Sequence, residues 1–167
     1  MGLLVEEVQL WNSPSLGAYL LWKFTTGYCN AHSNGDAPIA LLHFIAIPIL
    51  TSNILSEPIS DRRKNLQSYI NSFEDLKNSD ILLSLQSRIK NKLKYTLDAI
   101  DIAISYGLLY WDIENGKLYP GKNENKVKRG RSLKPSVVKF GNRAEILGKW
   151  FAEHSIASIT SHLKVVL

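Results

Sequence analysis

Cysteine occurs once in the 167 residues, at position 29, so no intrachain disulfide can form and a reducing, cytoplasmic setting suits the chain. Histidine is scarce as well. His32, His43, His154 and His162 form no HExxH or His-x-His pattern, and no second cysteine stands at zinc-ligand spacing, so no metal centre is expected. There is no G-x-x-x-x-G-K-[ST] loop, which argues against ATP binding or hydrolysis by this chain, and no cofactor is expected. No apolar run reaches the ~20 residues that span a bilayer. The densest, residues 37–50, is interrupted by His43 and Pro48. The opening MGLLVEEVQLW carries two glutamates and no basic cluster, so it does not read as a secretory signal.

A length of 167 residues with 45% hydrophobic content is enough to bury a core, and the expectation is one mainly α-helical domain over residues 1–167. Ser13 and Pro14 mark a helix start, the serine hydroxyl being placed to accept an orphan backbone N–H and proline fitting the first helical position. Leu16, Leu20 and Phe24 repeat at helical spacing to about Gly27, with Tyr19 and Trp22 beside them. Residues 38–50 are almost wholly apolar, which predicts a helix with no wet face, kinked or ended by Pro48. A surface helix is expected over residues 61–76, with Leu66, Tyr69, Ile70 and Phe73 inward. From Ile81 to Ile104 an apolar repeat continues at three-to-four spacing and ends at Gly107. One long helix fits it, as do two with a break near Lys94 and Thr96 as cap; typical helix length favours the break.

After Gly107 two aromatic-rich runs flank Asn115-Gly116, the strongest short signal for a β-hairpin, here over residues 107–120. Helices followed by a hairpin are the order of a winged-helix-like fold, which serves DNA binding or docking; a hairpin that merely covers the core edge is the alternative. Residues 121–135 then carry Lys122, Lys126, Lys128, Arg129, Arg131 and Lys134 against one acid, Glu124. That excess equals the formal net charge of the whole chain, +5, so any contact with double-stranded DNA phosphates is local. A solvated connector has the same composition. Helices over residues 142–163 close the chain: Asn142 is the expected cap, and Ala144, Leu147, Trp150 and Phe151 lie on one side. Gly148 permits close approach of a neighbour, and a second helix starts at Ser155 with Ile156, Ile159 and Leu163 inward. Trp150 and Phe151 either close the core over the N-terminal helices or offer anchors to a partner.

Three segments carry a resemblance: NSPSLGAYLLWKF, APIALLHFIAIPIL and RAEILGKWFA, in this order. Together they resemble the middle component of bacterial three-component ABC systems, the small helical subunits encoded beside an SMC/Rad50-like ATPase and an effector in Lamassu-type anti-phage and anti-plasmid defence. The resemblance implies a non-catalytic adaptor whose partners are that coiled-coil ATPase and the effector protein of the same operon. Trp22, Tyr110, Trp111 and Tyr119 are the candidate partner interface. The competing reading is a winged-helix DNA-binding regulator. In the helix before the wing, Arg88, Lys90, Lys92 and Lys94 all lie in its first half, while residues 97–106 hold two aspartates and no base. A recognition helix offers Arg, Asn or Gln along its exposed face, so this shortage favours the adaptor.

Catalytic constellations are poor. Cys29 and His32 stand three apart without an orienting group or oxyanion site, His43 reads as a hydrogen-bonded core histidine, and Asp98 and Asp101 as carboxylates solvating a helix face.

Overall fold

The computed structural model describes residues 12–75, 79–122 and 133–167. Over these it is mainly helical, with one two-stranded antiparallel sheet. In chain order the elements are α1 (Pro14–Ala31), α2 (Ala40–Leu50), α3 (Asn53–Ser56), α4 (Leu66–Asp75), α5 (Ser79–Leu83), α6 (Leu85–Asn91), α7 (Leu93–Ser105), β1 (Leu109–Asp112), β2 (Lys117–Pro120), α8 (Pro135–Ala152) and α9 (Ile156–His162).

α1 is the centre of the molecule, packed against α8 on one side and α7 on another. Its apolar residues Leu16, Leu20 and Phe24 join the larger core cluster, with Leu147, Trp150 and Phe151 of α8 and Tyr69 and Phe73 of α4. Phe24 and Phe151 meet edge to face at 5.6 Å. The contact is close because glycines alternate across it. A Cβ at Gly27 would stand 2.2 Å from the Glu145 carbonyl oxygen, and one at Gly148 only 2.1 Å from that of Phe24. Ala18 and Leu21, from another face of α1, join a smaller cluster with Ile47, Ala99, Ile100, Ala103 and Leu118.

α1 starts at Pro14, and here the Ser13 hydroxyl makes no capping bond. The Ser13 carbonyl does the work instead, accepting from Leu16 N, Gly17 N and the Tyr95 hydroxyl. The helix also runs past Gly27 to Ala31, since Gly27 is the point of contact with α8 and leaves the helical backbone unbroken. α2 is largely buried, as its composition predicts, with Leu42, His43 and residues 45–50 enclosed, but one side stays open: Ala40 and Phe44 are partly buried and Leu41 is 37% exposed. Pro48 lies in its last turn, and the helix ends at Leu50.

Two starts differ from expectation. α4 begins at Leu66 because residues 61–64 form a turn on the Asp61 carboxylate and carbonyl, and the Asn65 side chain accepts from Ser68 N. α8 begins at Pro135, seven residues before Asn142, which is an exposed mid-helix residue and caps nothing. Proline at the first helical position is the operative signal there. Ser155 does cap α9, accepting from Ser158 N at 3.2 Å; Ile159 and Leu163 are buried while Ile156 stays exposed.

α5, α6 and α7 form a near-continuous rod separated by single residues, Ser84 and Lys92. The second break lies at Lys92 (φ −98, ψ 5), ahead of the Lys94–Thr96 position expected. Thr96 is no cap, since its hydroxyl donates back to the Lys92 carbonyl. At the other end of α7, Gly107 takes φ +71, and Leu108 N reaches back to the Ala103 carbonyl at 2.8 Å. This is a Schellman closure, and it turns the chain directly into β1. The hairpin pairs Leu109 with Pro120 through Asp112 with Lys117. Its second strand is tied to the start of α2 by Leu118 N to the Pro38 carbonyl and Ala40 N to the Gly116 carbonyl.

Candidate functional site

The hairpin brings most of the sequence-predicted interface together. Side chains alternate across a strand, so Leu109 and Leu118 point into the smaller cluster while Tyr110 and Tyr119, directly opposite each other, share the outer face. Tyr110 is 64% exposed and Ile113, at the turn, 83%. Tyr110, Trp111 and Tyr119 line one open groove of about 940 Å³, together with Ile113 and Lys122. Trp111 is half-buried against the smaller cluster, as is Trp22, which the structure leaves on α1 outside that groove. Trp22 packs beside Tyr19, ring centroids 6.0 Å apart, with the Lys23 ammonium 5.7 Å over its ring.

An ionic anchor holds this hairpin, and sequence reasoning missed it. The Lys117 ammonium lies 2.5 Å from the Asp36 carboxylate, and the Tyr119 hydroxyl donates to the same carboxylate at 3.3 Å. The lysine's hydrogen bond first, and then the Ala37 N–H, hold the Asp36 carboxyl below its ordinary range. The residues are 81 apart in sequence, and no local pattern announces such a pair.

A second omission concerns α7. The apolar repeat reads as core, and Leu82, Leu85 and Ile100 are buried. Leu93, Leu97 and Ile104 are instead 50%, 49% and 37% exposed. At about 100° per residue these three fall within about 40° of each other, one stripe along the flank of the buried face. Tyr106, 62% exposed, follows at the helix end. Among basic residues of the same rod, Arg88 Nε donates to Ser84 Oγ, Lys94 pairs with Asp98 at 2.7 Å, and the Lys92 ammonium sits 4.5 Å over the Tyr95 ring.

A family model for Middle Component 3 of the ABC-three component (ABC-3C) system matches residues 1–167. The chain belongs to that family. No curated protein and no solved structure matches it.

Of the basic segment, Lys126, Lys128, Arg129 and Arg131 lie outside the described residues, while Lys122 and Lys134 are exposed at its two ends. No helix among the described residues is long and apolar enough to cross a membrane, and no group of three or more His, Cys, Asp or Glu among them is placed to hold a metal ion. Burial, with the Asp36 charge adding to it, raises the Cys29 thiol to about 11, so it holds its proton at neutral pH. The His32 Nδ1 accepts from the N–H groups of Asn34 and Asp36, and its ring stacks on Tyr28.

His43 is a core histidine, wholly buried. Its Nδ1 lies 3.2 Å from the Ile39 carbonyl and its Nε2 2.8 Å from Thr25 Oγ1. The Thr25 hydroxyl gives its one proton to the Leu21 carbonyl at 2.7 Å, so its oxygen accepts from His43 Nε2–H, and the proton of the neutral ring belongs on Nε2. Burial drives the imidazole from 6.5 down to about 4, against the Ile39 and Ala40 backbone groups that favour its charged form. Above pH 6.5 the folded and unfolded states both keep His43 neutral. Below that the unfolded chain takes a proton that the native state refuses down to about pH 4, so stability falls across this window. A fall of that size corresponds to roughly 3 kcal/mol. We expect Tm to drop between pH 7 and 4 more steeply in the natural chain than in His43→Gln; parallel curves would mean that His43 protonates freely.

Proposed function

We propose that this chain is a non-catalytic adaptor, docking on an SMC/Rad50-like coiled-coil ATPase of the Lamassu kind and joining it to the effector protein of the same operon in anti-phage and anti-plasmid defence. The observation that carries this reading is the exposed apolar row Leu93, Leu97 and Ile104 on α7, with Tyr106, Tyr110 and Ile113 on the hairpin side. Apolar surface arranged along one helix stripe suits a partner helix, whose own a/d residues would bury it. Family membership supplies the need for partner components.

The winged-helix DNA-binding reading has weaker support. Arg88, Lys92 and Lys94, three of the four bases on the rod, are engaged by the chain's own side chains. Double-stranded DNA enters the proposal through the assembled complex, by way of the basic residues between 121 and 135.

Co-expression of a tagged chain with its genomic neighbours, followed by sizing with and without nuclease, tests the adaptor. Recovery of the large ATPase after nuclease treatment is the expected result; elution alone, or only with nucleic acid, would overturn it. Leu97→Glu with Tyr110→Ala is expected to leave Tm within a few degrees, because both side chains are exposed, and to reduce recovery of the ATPase at least tenfold. Undiminished recovery would place the interface elsewhere.

A further inference from the structure

Arg143 is the one arginine of α8, and it points inward: only 6% of it is exposed. Its Nη1 donates to the buried hydroxyl of Ser56 at 3.1 Å, and its guanidinium lies 5.3 Å over the Phe140 ring. Its Nε is buried with no hydrogen-bond partner. Among the described residues it is absent from every ion pair, and the carboxylate that acts on it, Glu57, does so only through space. A buried guanidinium normally has a carboxylate or phosphate on its fork, because stripping water from a charge without compensation costs several kcal/mol. This one has a neutral hydroxyl and an aromatic face.

The same arginine lines a cleft of about 330 Å³ between residues 59–60 and α8. Ile59, Pro135, Val138 and Ile146 form apolar walls, and Lys139 and Asn142 line it beside Arg143. Ile146 also borders a second cleft of about 250 Å³ that holds Arg62 and Lys149. Its carboxylate, Glu145, is already paired with Lys23 at 2.8 Å. Four cations thus line a run of two adjoining clefts whose acid is neutralised.

We propose that the cleft between residues 59–60 and α8 receives a carboxylate-bearing peptide segment of another protein, the carboxylate meeting Arg143 and Lys139 while flanking aliphatic side chains fill the apolar walls. The walls decide between acidic partners: a glutamate or aspartate on a peptide brings methylenes and apolar neighbours with it, whereas a sugar-phosphate backbone offers nothing to Ile59, Val138 and Ile146. Only the identity of the donor, another component of the system, rests on the adaptor reading.

Two arms test this. In ¹⁵N-labelled protein, the Arg143 Nε–H resonance is followed while acetyl-Ser-Leu-Glu-Leu-Ser-amide is added, with the Glu→Gln peptide and inorganic phosphate as controls. A saturable shift with the glutamate peptide, lost in Lys139→Glu, is expected. No shift, an equal shift with the glutamine peptide, or a shift with phosphate alone would overturn the proposal. In the second arm, Arg143→Met is compared with the natural chain. Removing a buried charge that lacks a carboxylate should leave Tm unchanged or raise it, and capture of the co-expressed component should fall at least tenfold. A lowered Tm would make Arg143 a structural residue, and undiminished capture would remove the cleft from the interface; either overturns the proposal. If the natural chain captures no component, the adaptor reading fails while the titration still decides the cleft.

Discussion

Gly148→Ala is expected to destabilise the fold by about 3 kcal/mol or more, although alanine is the better helix former by about 1 kcal/mol. The added methyl would sit 2.1 Å from the Phe24 carbonyl oxygen and 2.8 Å from Tyr28 N. Both are backbone atoms of α1, so no rotamer change relieves the clash, and the two helices must separate. Separation loosens the contact between Phe24 and Phe151 behind it. Gly27→Ala meets the Glu145 carbonyl in the same way. Gly141→Ala is the internal control, because its nearest neighbours are ring atoms and the hydroxyl of the half-buried Tyr19, a side chain with room to move. Urea unfolding of the three variants should rank Gly148 and Gly27 well above Gly141. Equal midpoints would mean that α1 and α8 do not approach as described.

Trp150→Ala is expected to cost about 3–5 kcal/mol, the range for emptying a large aromatic site in a packed core. Trp150 is 1% exposed and stands 5.6 Å from the Tyr69 ring, whose hydroxyl is bound to the Leu55 carbonyl, so the indole joins α8 to α4 and α3. Its core role therefore holds over the alternative of a partner anchor. The indole Nε1 is buried without a hydrogen-bond partner. Leaving such a donor unpaired costs about 1–3 kcal/mol, which offsets the ring volume lost in Trp150→Phe. That variant is accordingly expected within about 1 kcal/mol of the natural chain. A folded Trp150→Ala protein of undiminished Tm that fails to bind its partner would reverse the assignment.

What the chain alone determined is what local spacing encodes. The apolar period of α1, the burial of most of α2, the Asn-Gly turn and the Ser155 cap all act within a few residues, and each is where the pattern puts it. Helix starts at Leu66 and Pro135 were harder, since several residues nearby, among them Asn142, have cap chemistry and only one can be used. Tertiary structure decided the rest. Periodicity marks an apolar stripe on α7 without saying how much of it a neighbour covers, and α1 covers only the flank that holds Ala99 and Ala103, leaving Leu93, Leu97 and Ile104 to solvent. Asp36 and Lys117 meet only because the hairpin folds onto the start of α2. Arg143 stands four before Leu147 and seven before Trp150, in register with the core, yet its lack of a carboxylate depends on what the 56–60 segment brings to it. Charge pairing and burial are properties of residues brought together over long sequence distances, and no short-range pattern contains them.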